Sequence, residues 1–184
     1  MAASEPVRGR RHPGSIVDLD AEAERLVAEP PRLPVQGGPL PELMVSRDGV
    51  PTLLDSVEGW KVVELWAAWC VNCHVQMGAL ETLHEEWTAA GVPVSVVVVS
   101  VEATERDQWP MQMVGVPSER WVLTWGGPTV LEQLGASGLP ATLVVDPSGR
   151  VVQTRLGWEG SLDWLRDTLT TAGVWAPVGG EGAQ

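Results

Sequence analysis

A chain of 184 residues, 44% of them hydrophobic, has the length of one domain and enough apolar content for a core. Its formal charge of −12, from 24 acidic and 12 basic residues, repels phosphate backbones and anionic lipid, so nucleic acid and membrane surfaces are poor candidate partners. No apolar run approaches the roughly 20 residues of a membrane-spanning helix, so no membrane insertion is expected.

Residues 1–40 read as a Pro-rich leader in which only Val17 to Ala28 has the pattern of a short helix. Arg10-Arg11 is a twin-arginine pair, but His12-Pro13-Gly14-Ser15 follows instead of an apolar segment, so no signal peptide is read. The expected location is cytoplasmic for the chain as given, and extracytoplasmic if an export segment is missing. A globular domain is expected over residues 41–175, with a short Gly-rich tail over 176–184.

Within the domain, Leu43 to Ser46 and Val50 to Leu54 flank Arg47-Asp48-Gly49, a hairpin turn signal. Lys61 to Ala67 is an apolar, β-branched run that predicts a central strand. A helix from Cys70 to about Ala90 follows, with Val75, Leu80, Leu83 and Trp87 as its apolar face, ended by Gly91-Val92-Pro93. Val94 to Val101 predicts the next strand. Ala103 to Gly115 has helical pattern at both ends around Pro110. Trp121 to Thr124 predicts a short strand and Thr129 to Leu134 a short helix. Ala141 to Val145 and Arg150 to Leu156, joined by Asp146-Pro147-Ser148-Gly149, predict a second hairpin. Ser161 is the expected cap of a last helix with Leu162, Leu165 and Leu169 on one face. The crossover helix makes the first strands parallel and the short turn makes the last pair antiparallel, so the expected class is α/β, a mixed sheet with helices on both faces.

Ten Trp stand beside no Phe and no Tyr, and Lys61, Ile16 and Asn72 are each the only residue of their kind. Residues with AT-rich codons are nearly absent, so coding bias explains the Trp excess. Several Trp are expected to fill core volume, not to form a ligand platform. The two cysteines, Cys70 and Cys73, are three residues apart and form a local site, not a disulfide framework.

That pair falls where a strand hands over to a helix. The first N–H groups of a helix have no internal partner and its dipole favours negative charge there, so a thiol at that point loses its proton more easily. Residues i and i+3 of a helix lie about 5–6 Å apart, within the Cα separation a disulfide tolerates. The predicted chemistry is thiolate exchange: Cys70 attacks a substrate disulfide, and Cys73 resolves the mixed disulfide.

Val62-Val63-Glu64-Leu65-Trp66-Ala67-Ala68-Trp69-Cys70-Val71-Asn72-Cys73 resembles the active-site strand and helix start of the thioredoxin family. Gly138-Leu139-Pro140-Ala141-Thr142, with the hairpin and Gly157 behind it, resembles that family's cis-proline segment and last strands. The resemblance covers about Pro39 to Ala172. The stretch between Cys73 and Pro140 is longer than in minimal thioredoxins and leaves room for the strand–helix insert of the TlpA/ResA-like branch, a group of mostly extracytoplasmic disulfide reductases. The run Leu139 to Val151 fits that branch too.

The resemblance implies that Cys70 is the nucleophile and Cys73 the resolving thiol of a redox-active disulfide. It further implies that Pro140 is cis, and that Leu139 offers its backbone to an extended substrate peptide. Trp69 is expected to stand partly exposed as a wall beside Cys70, with Trp66 in the core. Glu64 occupies the place of a buried acid. Set in a strand of Val and Leu, its carboxyl should be desolvated and its pKa raised, and the expected role is to accept and return the proton of Cys73. A carboxylate merely satisfied by local donors is the competing account. The branch often carries Glu three residues after the second Cys, followed by Pro; here Gln76 and Gly78 stand there. Val71-Asn72 resembles the thioredoxin-like end domain of DsbD-type transmembrane reductases.

Three other readings compete. Cys70-Val71-Asn72-Cys73-His74 matches the c-type haem attachment pattern, but that reading leaves the proline signature without a role, and His74 is expected to be an exposed first-turn residue. A peroxiredoxin would carry Thr three residues before its reactive Cys, where Ala67 stands. A redox-inert binding module would keep the fold without turnover. His12, His74 and His84 lack ligand spacing, so no metal and no cofactor are expected. The expected partners are disulfide-containing protein substrates and an unidentified thiol electron donor, with the protein a monomer.

Overall fold

The computed structural model describes residues 36–103 and 121–176. The helical readings of Val17 to Ala28 and of most of Ala103 to Gly115 lie outside them, as do nearly all of the 1–40 leader and residues 177–184. The described chain runs β1 (Met44–Arg47), β2 (Val50–Leu53), a single 3-10 turn (Leu54–Ser56), β3 (Trp60–Trp66), α1 (Val71–Ala89), β4 (Val94–Ser100), β5 (Val122–Trp125), α2 (Thr129–Leu134), β6 (Ala141–Val145), β7 (Val151–Leu156) and α3 (Asp163–Thr171). The seven strands form one sheet in the order β2-β1-β5-β4-β3-β6-β7.

β3 lies near the middle of the sheet, parallel to β4 over seven register pairs from Trp60↔Val94 to Trp66↔Ser100, and antiparallel to β6 on its other edge. β5 is parallel to β4, and the hairpins β1–β2 and β6–β7 close the two ends. The hairpins follow from their turns. Asp48 (φ 49°) and Gly49 (φ 90°) both take the left-handed region that a two-residue hairpin loop requires. The sheet also extends before β1: Gly37 and Leu40 donate their N–H groups to Val151 O and Gly149 O, at 2.7 and 2.8 Å.

Helices cover both faces, as the mixed pattern of strands predicts. Glu64 and its register partners Val98 and Thr142 point toward α1, because Gln76 of that helix reaches Glu64. α3 shares this side: Arg166 grips Glu86 of α1 with two bonds of 2.5 and 2.8 Å, and Trp87 meets Trp175 edge to face. On the opposite face, α2 sets Val130 beside Gly126 and Val99. Trp66, Trp87, Trp121 and Trp175 are all buried, so tryptophan does fill core volume here.

Two local expectations need correction. Val75 is 51% exposed, and the buried face of α1 is instead Cys73, Gln76, Met77, Leu80, Leu83, His84 and Trp87. That series keeps helical spacing only if the polar Gln76 and His84 are counted as inward, which a purely apolar pattern cannot do. Ser161 is not the cap of α3. Leu162 holds that position without a side-chain bond, and Ser161 Oγ receives the Asp163 N–H only at 3.5 Å. Leu162, Leu165 and Leu169 do form the buried face.

Gly126 has no room for a side chain: a Cβ there would lie 2.3 Å from Val130 Cγ2 and 3.1 Å from Val99 Cγ1. Gly126→Ala is therefore expected to lower stability by about 1–3 kcal/mol, read as a lower denaturation midpoint, through overpacking between α2 and the sheet.

Candidate active site

β3 ends at Trp66, and four residues later Cys70 caps α1. A side-chain acceptor is what an N-cap needs, and here it is sulfur: Cys70 Sγ receives the Cys73 N–H at 3.2 Å, where Ser or Asp would ordinarily supply oxygen. Cys70 and Cys73 are joined as a disulfide with their Cα atoms 5.2 Å apart, so first-turn helix geometry holds the bonded pair. Cys73 is fully buried and Cys70 nearly so. An attacking or incoming thiol therefore meets Cys70 first.

The loop before Cys70 is tied down at one residue, through the two peptide groups on either side of it. Ala68 N–H donates to Glu102 Oε1 at 2.6 Å, and Ala68 C=O lies 2.8 Å from His74 Nε2. A carbonyl only accepts, so that ring nitrogen carries the hydrogen. His74 is exposed, as expected of a first-turn residue, and its ring also stands edge to face on Trp66 at 5.5 Å. Trp69 is 69% exposed, and Val71 and Val75 stand out beside it. The Leu139–Pro140 peptide bond is cis. Pro140 is buried, directly precedes β6, and accepts the Gly157 N–H on its carbonyl at 2.7 Å; Leu139 is partly exposed.

On β3, facing the second turn of α1, Glu64 is fully buried. Gln76 Nε2 donates to Glu64 Oε1 at 2.7 Å, Thr142 Oγ1 donates to Glu64 Oε2 at 2.8 Å, and Gln76 Nε2 also donates to Thr142 Oγ1 at 2.7 Å. Burial pushes the Glu64 pKa up to about 8, with the Thr142 hydroxyl and the Gln76 amide each pulling it back. Reading the sequence singled out Glu64 but not its two donors. Gln76 was visible only as a departure from the branch, and Thr142 only as part of the proline segment. Both have a signal in hindsight: Gln76 is one helical turn beyond Cys73 on the same face, and Thr142 is the register partner of Glu64.

The model of the AhpC/TSA family matches residues 37–154. The chain belongs to that family. No curated protein matches the chain, but solved structures do. A Chlorobium tepidum structure named for the thiol:disulfide interchange protein DsbE superimposes with a TM-score of 0.63 at 20% identity, covering 76% of this chain and 98% of that one. The thio-disulfide isomerase of Thermus thermophilus gives 0.59 at 27% identity, over 77% and 99% of the two chains. MTB dsbF gives 0.57 at 22% identity, over 71% and 94%. This AhpC/TSA member thus has the thioredoxin-like fold, with a paired CxxC at its helix start.

Burial of Glu64 has a consequence for stability. A carboxyl whose folded value (about 8) lies above its unfolded value (4.5) binds protons more tightly when folded. Its contribution is complete below the unfolded value and is lost as the pH rises through the folded one. The oxidised protein is expected to lose on the order of a few kcal/mol of unfolding free energy between pH 5 and 8.5. Denaturation of Glu64→Gln over the same range should show a flatter dependence.

Proposed function

We propose that this protein is a protein-disulfide reductase, cycling the Cys70–Cys73 pair through a mixed disulfide. The observation that carries the reading is a closable sulfur pair at the N-cap of α1, above a buried carboxyl of raised pKa on the adjoining strand. In the reduced form, unpaired N–H groups and the helix dipole favour the Cys70 thiolate. It attacks one sulfur of a substrate disulfide; that S–S bond breaks, and the other substrate sulfur leaves as a thiolate that takes a proton from water. Ionised Glu64 then accepts the Cys73 proton, and Cys73 sulfur attacks Cys70. The second substrate sulfur departs as a thiolate and takes the proton back from Glu64, leaving the intramolecular disulfide. The substrate gains two electrons, and an external dithiol returns them to the protein. Exposed Trp69 and the backbone of Leu139 beside Pro140 are the proposed contacts for an extended substrate segment.

A peroxidase reading within the same family lacks support at the residue level, because Ala67 offers no hydroxyl three residues before Cys70. Haem attachment is disfavoured by the place of the motif, which continues a buried strand into α1 with Cys73 fully buried, and by the engagement of His74 with Ala68.

Insulin reduction tests the proposal. Cys70→Ser should abolish turnover, and Cys73→Ser should accumulate a mixed disulfide visible without reductant. Turnover surviving in Cys70→Ser would refute the mechanism. A pair potential near −270 mV supports reductase work, whereas one near −120 mV turns the direction toward oxidation. Glu64→Leu should slow exchange at pH 7 by about 10²-fold, the low end of general-base contributions, and flatten the pH–rate profile. An unchanged profile removes Glu64 from the mechanism.

A further inference from the structure

The three hydrogen bonds around Glu64 form a closed ring, and the hydrogen count within it is informative. A primary amide nitrogen has two hydrogens. Gln76 Nε2 spends both, one on Glu64 Oε1 and one on Thr142 Oγ1. The Thr142 hydroxyl, accepting from Gln76, has one hydrogen left and directs it to Glu64 Oε2. Each carboxylate oxygen therefore receives one donor, and the ring as drawn serves the ionised acid. When Glu64 takes a proton on the Oε2 lone pair that faces Thr142, its O–H donates to Thr142 Oγ1, and the Thr142 hydroxyl hydrogen swings away. Gln76 need not move.

We propose that Gln76 and Thr142 are positioning residues that hold the Glu64 carboxylate and set the pH at which it exchanges its proton, Thr142 by reversing its hydroxyl and Gln76 by staying fixed. The assignment rests on the proposed relay only for its consequence in turnover; the hydrogen-bond logic stands apart from it. An amide at position 76 also keeps the relay to one proton. A carboxyl there would stand within 2.7 Å of the same oxygen, and two such acids titrate as a coupled pair.

Charge from elsewhere is sparse on this side of the sheet. α1 turns two titratable groups inward, Cys73 and His84. His84 is eight residues beyond Gln76, about 12 Å along the helix, and its Nδ1 accepts the Trp121 N–H. β4 presents Val96, Val98 and Ser100 on this face, β6 presents Thr142 and Val144, and α3 turns Leu165 and Leu169 inward. β7 presents Arg155 beside Thr142, one strand further from Glu64, with its guanidinium over the Trp164 ring and 3.5 Å from Glu159. Past the end of β4, Glu102 is engaged with Ala68. Among the described residues, the donors on Glu64 are neutral, so its ionised form depends on the amide and the hydroxyl.

The experiment is a carboxyl-carbon NMR titration of Glu64 in the oxidised full-length protein, paired with the pH dependence of insulin reduction. Gln76→Met and Thr142→Val each remove a donor to the anion, and should move the Glu64 midpoint upward by about one pH unit. If Glu64 is the relay, exchange at pH 7 then falls about tenfold and recovers at higher pH. Thr142→Ser, which keeps the hydroxyl, should restore the midpoint. Gln76→Glu should split the titration into two steps. A Glu64 midpoint unmoved in folded Gln76→Met and Thr142→Val overturns the assignment; should Gln76→Met fail to fold, Thr142→Val decides alone. A midpoint that moves while the rate profile stays put upholds the assignment and overturns the relay role of Glu64.

Discussion

β3 is buried from Lys61 to Trp66, and it carries two ionisable residues into that environment. Buried charge or acid must be answered by partners from other elements. Lys61 finds them beyond the sheet: its ammonium donates to Val57 O at 2.7 Å and pairs with Asp55 at 3.0 Å, in the turn just before the strand. Glu64 faces the opposite side and takes its partners from α1 and β6. The strand is thus held along its length by its neighbours and across its faces by two polar anchors.

From that end the chain has little freedom before the helix begins. Ala68 is held at its N–H by Glu102, two residues beyond β4, and at its C=O by the first turn of α1. The end of β4 and the start of α1 therefore fix one residue, and the sulfur two residues later is placed by them as much as by its own backbone. A sulfur used as helix cap has a further consequence. The bond from the Cys73 N–H is charge-assisted when the sulfur is a thiolate and weak when it is a thiol, so the helix start itself discriminates between the two forms.

How much of this could be read from residues alone follows from how each feature is encoded. Strands made of Val runs, hairpins closed by Asp48-Gly49 or Pro147-Ser148-Gly149, and the pairing of Cys70 with Cys73 rest on local chemistry, and they emerge at the expected places. The helix Thr129–Leu134 and the strand Ala141–Val145 have the expected bounds. The inward face of α1 was misread because its sequence pattern is ambiguous until the partner is known: Gln76 is buried by an acid 12 residues earlier and a hydroxyl 66 residues later. Ser161 has cap chemistry but sits one residue too early to use it fully. Glu102 carries no local sign of its role, because Ala68 is 34 residues away. What was missed is the set of polar bonds between distant elements, whose partners no window along the chain contains.

The misreading of Val75 bears on function. An apolar residue on a helix that is not in the core is ordinarily a scattered surface group, yet here it has company. Trp69, Val71 and Val75 are all exposed around the two cysteines, on a chain whose net charge is −12. Apolar groups gathered in water are recovered as binding energy when something covers them. A small charged thiol would gain nothing from such a surface; an extended polypeptide bringing apolar side chains to Cys70 would. The exposed residues near Cys70 therefore support the proposed use of protein disulfides as substrates, on grounds separate from the sulfur chemistry.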